Sequence, residues 1–192
     1  MRKMFFFVLA AAALLLMLPA QNAQAQSGSE TPKVEIGAHY TLLRFRDFDT
    51  TDNGVGTRVT YNVADSFGLE GEVNFFTQRR DNFATLTSSD ARRTQALFGA
   101  KYGMRSEKAG IFGKLRPGFI RFGEGTSVIG TTSPSETAFA LDFGGVFELY
   151  PSRSIALRFD VGDTVIRFSN PVFVDTFYSH NLQISTGVAF RF

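Results

Sequence analysis

The sequence predicts an all-β protein, an eight-stranded antiparallel up-and-down β-barrel that spans a membrane. Three observations predict it. Apolar and polar residues alternate with a two-residue period in eight segments, the signature of strands with one apolar and one polar face. The connections between those segments alternate long and short, as they do in transmembrane barrels. After the N-terminal leader, no apolar stretch reaches the length of about eighteen residues that a membrane helix needs. A place in the bilayer then requires a closed barrel, because only closure pairs every backbone group.

The leader has the parts of a secretory signal peptide. Arg2 and Lys3 precede an apolar run from Met4 to Leu18, and Pro19 and the small-residue site Ala23-Gln24-Ala25 follow. Cleavage after Ala25 makes residues 1–25 the signal peptide, 26–32 a flexible lead and 33–192 the barrel. Without Arg2 and Lys3 the eighteen remaining basic residues balance the eighteen acidic ones, so no nucleic-acid partner is expected. The absence of Cys excludes disulfides and Cys-based metal or redox chemistry. Two histidines make a poor metal site, so neither a metal nor a cofactor is expected.

The first strand runs from about Lys33 to Phe45, with Val34, Ile36, Ala38, Tyr40 and Leu42 opposing Glu35, Gly37, His39 and Thr41. The second, Gly54 to Val63, sets Val55, Val59 and Tyr61 against Arg58, Thr60 and Asn62. The third, Phe67 to Thr77, sets Leu69, Val73 and Phe75 against Glu70, Glu72 and Asn74. In the fourth, Thr94 to Gly103, Phe98 and Tyr102 oppose Gln95 and Lys101. The fifth, Ala109 to Phe122, opposes Ile111, Leu115 and Phe119 to Lys114 and Arg116. It contains Pro117, which lacks a ladder donor and is expected to mark a bulge or bend. In the sixth, Phe139, Phe143 and Phe147 oppose Asp142 and Glu148. The seventh opposes Leu157, Phe159 and Val161 to Arg158 and Asp160. The last ends the chain, with Leu182, Ile184, Val188, Phe190 and Phe192 opposing Gln183, Ser185, Gly187 and Arg191. Between them, 46–53, 78–93, 123–136 and 168–179 read as long loops, and 64–66, 104–108 and 151–153 as short turns.

Side-chain size decides which face is inside. A lumen of eight strands is just wide enough to be filled by side chains, and most strand glycines lie on the polar face, whereas large Phe and Tyr residues crowd the other. The polar face is therefore inward and the aromatic face meets lipid. Twenty-two Phe and no Trp suit that role. The inward charges are Arg58, Lys101, Lys114, Arg116, Arg158 and Arg191 against Glu35, Glu70, Glu72, Asp142, Glu148 and Asp160, six of each sign. Charges in so narrow a lumen persist only when paired and hydrogen-bonded. They are expected to plug the barrel rather than line a water column.

The closing strand, ending on an aromatic two residues after another, resembles the last strand of bacterial outer-membrane barrels. With the alternation and the inward charges, it is similar to the small eight-stranded OmpA-like and opacity-type family over about residues 33–192. The resemblance implies that Phe190 and Phe192 form the signal read by the barrel-assembly machinery. It implies an outer-membrane location with both termini in the periplasm, and partners in outer-membrane lipid and lipopolysaccharide. The carboxy-terminal peptidoglycan-binding domain of the best-known members has no counterpart here.

Two features test a catalytic reading. His180 faces outward near the outer end of the last strand, with Ser179 and Ser185 close in sequence, but the residue two after it is Leu182 and not a serine. No Ser/His/acid spacing appears, and no enzyme is expected. His39 reads as a lumen residue near Glu35. Arg79, Arg80, Arg92 and Arg93 flank the second long loop, where they would meet lipopolysaccharide phosphates. The expected function is that of a monomeric barrel with a structural or surface-interaction role and a plugged lumen. A small channel of porin type and a lipid A-modifying enzyme are the alternatives.

Overall fold

The computed structural model describes residues 31–46, 50–82, 87–123, 125–126, 132–133, 135–170 and 175–192. The expected signal peptide, 1–25, and most of the expected lead, 26–32, lie outside the described residues. Eight long strands close into one antiparallel barrel: β1 (Val34–Phe45), β2 (Thr50–Ala64), β3 (Phe67–Asn82), β4 (Thr87–Arg105), β5 (Ala109–Phe122), β8 (Glu136–Ser152), β9 (Ile155–Asn170) and β10 (Asp175–Arg191). Between β5 and β8, β6 (Gly125–Thr126) and β7 (Thr132–Ser133) form a separate two-stranded ribbon. The barrel order is β1-β10-β9-β8-β5-β4-β3-β2, so each strand pairs with its sequence neighbours and β10 closes on β1.

The barrel closes where the chain begins and ends. Val34 and Phe192 exchange backbone hydrogen bonds, and the Arg191 N–H donates to the Ser154 carbonyl at 2.9 Å. Thr31 hydrogen-bonds Asp65 in the turn between β2 and β3. Both termini of the barrel thus lie at the end with the short turns at 65–66, 106–108 and 153–154.

The opposite end departs from the expected long loops. β2 begins at Thr50, β3 and β4 stay paired out to Asn82 and Thr87, and β9 and β10 stay paired out to Asn170 and Asp175. Half of 46–53 and most of 78–93 and 168–179 is strand, whereas β5 and β8 remain separated by the 123–135 segment that carries β6 and β7. The reason is that backbone ladders need no apolar alternation: polar residues on both faces erase the period without removing a donor or acceptor. At 19 residues, β4 is about twice the 9–11 residues a tilted strand needs to cross a bilayer.

Pro117 produces no bulge. It pairs with Leu141 in an unbroken β5–β8 register, while on the other side the β4–β5 pairs lapse opposite Phe98 and Gly99 and resume in the same register. A missing N–H removes one bond toward one neighbour, and Gly99 lets the backbones stay close there, since an added Cβ would collide with the Leu115 carbonyl oxygen. The register shifts that do occur lie beside short turns, at Asn62/Ala64 and Leu149/Ser152.

The two faces separate as the residue sizes require. Phe98, Tyr102, Ile111, Leu115 and Phe119 are exposed on the wall, Tyr102 at 69%, while Glu70, Glu72, Lys101, Arg116, Asp142 and Glu148 are sealed within. A water-soluble protein buries the first set and exposes the second. This barrel does the reverse.

Candidate functional site

The candidate site is the filled lumen, built by every second residue of eight strands. All twelve charges expected inside are buried, and they join into one network. At its centre Arg116 on β5 donates to Asp142 Oδ2 through Nε and Nη2 at 2.8 and 2.6 Å, and to Glu72 Oε2 through Nη1 at 2.5 Å. Arg58 on β2 reaches the same Glu72 oxygen at 2.7 Å through Nε, and its Nη2 lies 3.1 Å from Asp160. Arg158 on β9 grips Asp160 through Nε and Nη2, each at 2.9 Å, and ion-pairs with Glu70 across the lumen. Lys114 lies 3.0 Å from Asp142 and 3.6 Å from Asp160. Each arginine fork thus spans two carboxylates on different strands, which fixes geometry as well as charge.

Toward the short turns the pairing continues on other partners. Lys101 donates to Glu148 at 2.5 Å, Tyr150 donates to the other Glu148 oxygen at 2.6 Å, and Arg191 donates to Glu35 at 3.2 Å while lying over the Tyr150 ring at 4.1 Å. Arg105 belongs here too, 3.6 Å from both Glu35 and Glu148 and bonded to Asn62 at 3.1 Å. It is a seventh cation against six anions. The sequence reading ended the fourth strand at Gly103 and so left Arg105 in a turn. Continuing the alternation from Lys101 would have placed it inside.

Toward the other end the lumen becomes neutral, then apolar. His39 Nε2 donates to Asn74 Oδ1 at 2.6 Å, and Asn74 Nδ2 donates to Glu72 and Gln95 at 2.7 and 2.8 Å. Gly56 makes room for that pair, because a Cβ there would collide with both side chains. His39 therefore sits in the lumen beside Asn74 and 3.7 Å from Glu72, and it lines one small cavity together with Glu35. Gln95 donates to Gln183 Oε1 at 3.2 Å, Thr164 to the same oxygen at 2.8 Å, and Ser185 to Thr41 at 2.9 Å. Above this layer Leu43, Phe45, Phe76, Leu97, Ile120, Ala138, Ala140 and Ile166 form a buried apolar cluster, with Phe122 and Phe168 packed against it.

Arg93, expected on the outer rim, turns inward instead. It ion-pairs with Asp52 and lies over the rings of Phe45 and Phe122, at 4.5 and 5.2 Å. Its parity on β4, two residues before Gln95, is the reason. Arg92 is exposed on the wall. Arg79 and Arg80 lie on β3, paired with Asp90 and Ser89, rather than in a loop. Phe190 and Phe192 point outward, 58% and 72% exposed. His180 is outward and bonded to Asp163 at 2.6 Å, but Ser179 and Ser185 are buried inside, so the barrel wall separates the residues of the catalytic reading.

Against these charges lies a cavity of about 20 Å³ lined by residues that include Glu35, His39, Arg58, Thr60 and Arg158. That is room for about one water.

A closed barrel of eight strands with an apolar exterior and a paired, buried charge network is the setting for the sequence comparison. The chain matches the outer membrane protein beta-barrel domain over residues 10–192. It belongs to that family. The family sets the chain in the outer membrane, and no curated protein matches it in sequence. Solved structures share the fold at low identity. The attachment invasion locus protein Ail of Yersinia pestis is 14% identical with a TM-score of 0.57, covering 85% of this chain and 100% of its own. Neisserial surface protein A is 14% identical at 0.55, covering 83% of this chain and 96% of its own. The N-terminal barrel domain of Pseudomonas aeruginosa OprF is 10% identical at 0.53, covering 85% and 100%. Among the described residues no helix is long and apolar enough to cross a membrane, and the strands of the closed barrel are the elements the family uses there.

Proposed function

We propose that this outer-membrane barrel is a non-conducting structural and surface-interaction protein whose lumen is closed at two levels, with both termini in the periplasm. The observation that carries the reading is the filled lumen: interlocked ion pairs occupy the short-turn half, and packed apolar side chains occupy the other. A steady ion path would have to break both. The purified protein in a planar bilayer is expected to show no steady conductance, and regular single-channel steps in the wild type would overturn the reading in favour of a small channel.

The loop end then faces outward and contacts lipopolysaccharide, a reading supported by the exposure of Arg92 and by the backbone position of Arg79 and Arg80 on the neighbouring strand. Ail, of the same fold, has been crystallised with the heparin analogue sucrose octasulfate, which supports polyanion contact on such a scaffold. The lipid A-modifying reading is not favoured, since among the described residues Ser179 and Ser185 face the lumen while His180 faces outward. The exposed Phe190 and Phe192 on the closing strand serve the barrel-assembly machinery. Deleting Phe192 is expected to reduce the folded, heat-modifiable band in outer-membrane fractions while export across the inner membrane continues; an undiminished band would remove that role.

A further inference from the structure

Where the charged half of the lumen meets the neutral layer, the hydrogen-bond network fixes one imidazole. The Glu72 carboxylate can only accept, so Asn74, which donates to it through Nδ2, must turn its Oδ1 toward His39. An amide oxygen only accepts as well. His39 therefore carries its hydrogen on Nε2, and Nδ1 is left as a bare acceptor. The side chain is 2% exposed, and Nδ1 has no hydrogen-bond partner among the described residues.

The cavity of about 20 Å³ lies against this ring, shared with Glu35, Arg58, Thr60 and Arg158. A guest that serves Nδ1 must donate a hydrogen bond, and beside two guanidinium groups it must also accept one. Simple anions cannot donate, and simple cations are repelled by Arg58 and Arg158. Water does both, fits the volume, and has Glu35 to accept its second hydrogen.

The charged groups around the ring are Glu35 on β1, Arg58 from β2, Glu72 from β3, and Arg158 and Asp160 from β9. β10 sets the uncharged Gly187 opposite His39. The carboxylates are already engaged: Glu72 by Arg58 and Arg116, Asp160 by Arg58, Arg158 and Lys114, and Glu35 by Arg191. A proton added at Nδ1 turns that acceptor into a donor facing the water's hydrogens, and it adds a cation to a network that already holds more cations than anions.

We propose that the cavity binds one water molecule that donates to His39 Nδ1, and that His39 with this water is a proton-sensitive joint between the charged and neutral layers of the lumen. Protonation from solvent places N–H where the lone pair was, the water must turn to accept, and the joint is lost. The inference goes beyond the closed-barrel reading and does not depend on whether the lumen conducts.

The test uses the whole isotope-labelled barrel folded in detergent micelles. At about pH 8, nuclear magnetic resonance of the histidine rings is expected to find the His39 hydrogen on Nε2 alone and a contact from the ring C–H to a slowly exchanging water. The second arm compares denaturant stability at about pH 8 and about pH 5.5, a window in which exposed carboxylates stay ionised and histidine is the side chain that titrates. Wild type is expected to lose about tenfold more of its folding equilibrium constant across that window than His39→Gln, which keeps a donor for Asn74. His180→Gln, on the outer wall, should behave as wild type. Heat-modifiable mobility verifies that each variant is folded. If His39→Gln does not fold, the wild-type ring followed to about pH 5.5 decides, and a proton taken up at Nδ1 with no loss of stability overturns the joint. A hydrogen on Nδ1 at about pH 8, or a ring with no water contact, overturns the water site, and an equal pH dependence in folded His39→Gln overturns the proton-sensitive role.

Discussion

The two halves of the lumen solve the same filling problem with opposite chemistry. Toward the short turns the space is occupied by long charged side chains, and almost every one serves two partners: Glu72 meets Arg58 and Arg116, and Glu148 meets Lys101, Arg105 and Arg158. Toward the loop end the same cross-section is filled by Leu43, Phe45, Phe76, Leu97, Ile120 and Ile166. An apolar layer loses contacts in proportion to what is removed, whereas a buried ion network loses neutrality, and the orphaned charge is worse than the missing contact. The ion pair of Asp52 with Arg93 in the apolar half has its guanidinium over two ring faces, a setting in which it is attracted by the aromatic quadrupole. A charged layer and an apolar layer filling one lumen should therefore respond differently to truncation.

The largest effect is expected from Glu70→Ala/Glu72→Ala. These substitutions remove carboxylates that hold Arg58, Arg116 and Arg158, and breaking a buried pair by removing one partner costs about 3–5 kcal/mol. Stability measured by denaturant unfolding in micelles should fall by at least that amount. Intermittent openings in a planar bilayer are expected only if the water that solvates the stranded cations also parts the apolar layer, since both layers must open. A double variant as stable as wild type would show that the network contributes no more than packing.

A comparable loss of stability with a different electrical outcome is expected from Phe45→Ala/Phe76→Ala. Each substitution removes a side chain that is 1% exposed, and truncating a buried Phe costs about 3–5 kcal/mol. The pair need not add fully, because both residues belong to one cluster. Conductance should stay absent, since the charged half still closes the lumen. Openings here without openings in the carboxylate variant would reverse the assignment of the tighter seal.

The smallest effect is expected from Arg105→Gln. Glu35 retains Arg191 and Lys101, and Glu148 retains Lys101, Arg158 and Tyr150, so the anions stay neutralised when the seventh cation is removed. The stability change should lie within about 1 kcal/mol, the net size of one hydrogen bond such as that from Arg105 to Asn62. A loss of several kcal/mol would show that the short-turn layer depends on each individual cation instead of on the network.

Much of this was legible in the residues themselves. The two-residue period separates faces without reference to any partner, so the eight strands, the inward set from Glu35 to Arg191 and the outward aromatic wall could be read from alternation and size. The alternation failed where apolar residues occupy both faces at once. Leu42 and Leu43, Phe75 and Phe76, Phe119 and Ile120, and Val165 and Ile166 are adjacent apolar pairs, one of each facing lipid and the other packed in the apolar cluster. Such pairs carry no period, so the second seal was invisible, and the polar strand extensions beyond it were read as loops.

What the sequence by itself determined is therefore the strand count, the closed antiparallel order and which charges face inward, because each follows from local alternation and from the need to pair every backbone group in a bilayer. What only the tertiary structure decided is which charge meets which. Arg158 finds Glu70 across 88 residues and Arg191 finds Glu35 across 156, partnerships set by the stagger of strands around the closed cylinder. Local spacing holds no record of that stagger. The same stagger sets His39, Arg58 and Arg158 round one cavity, from strands that meet only because the last one closes on the first.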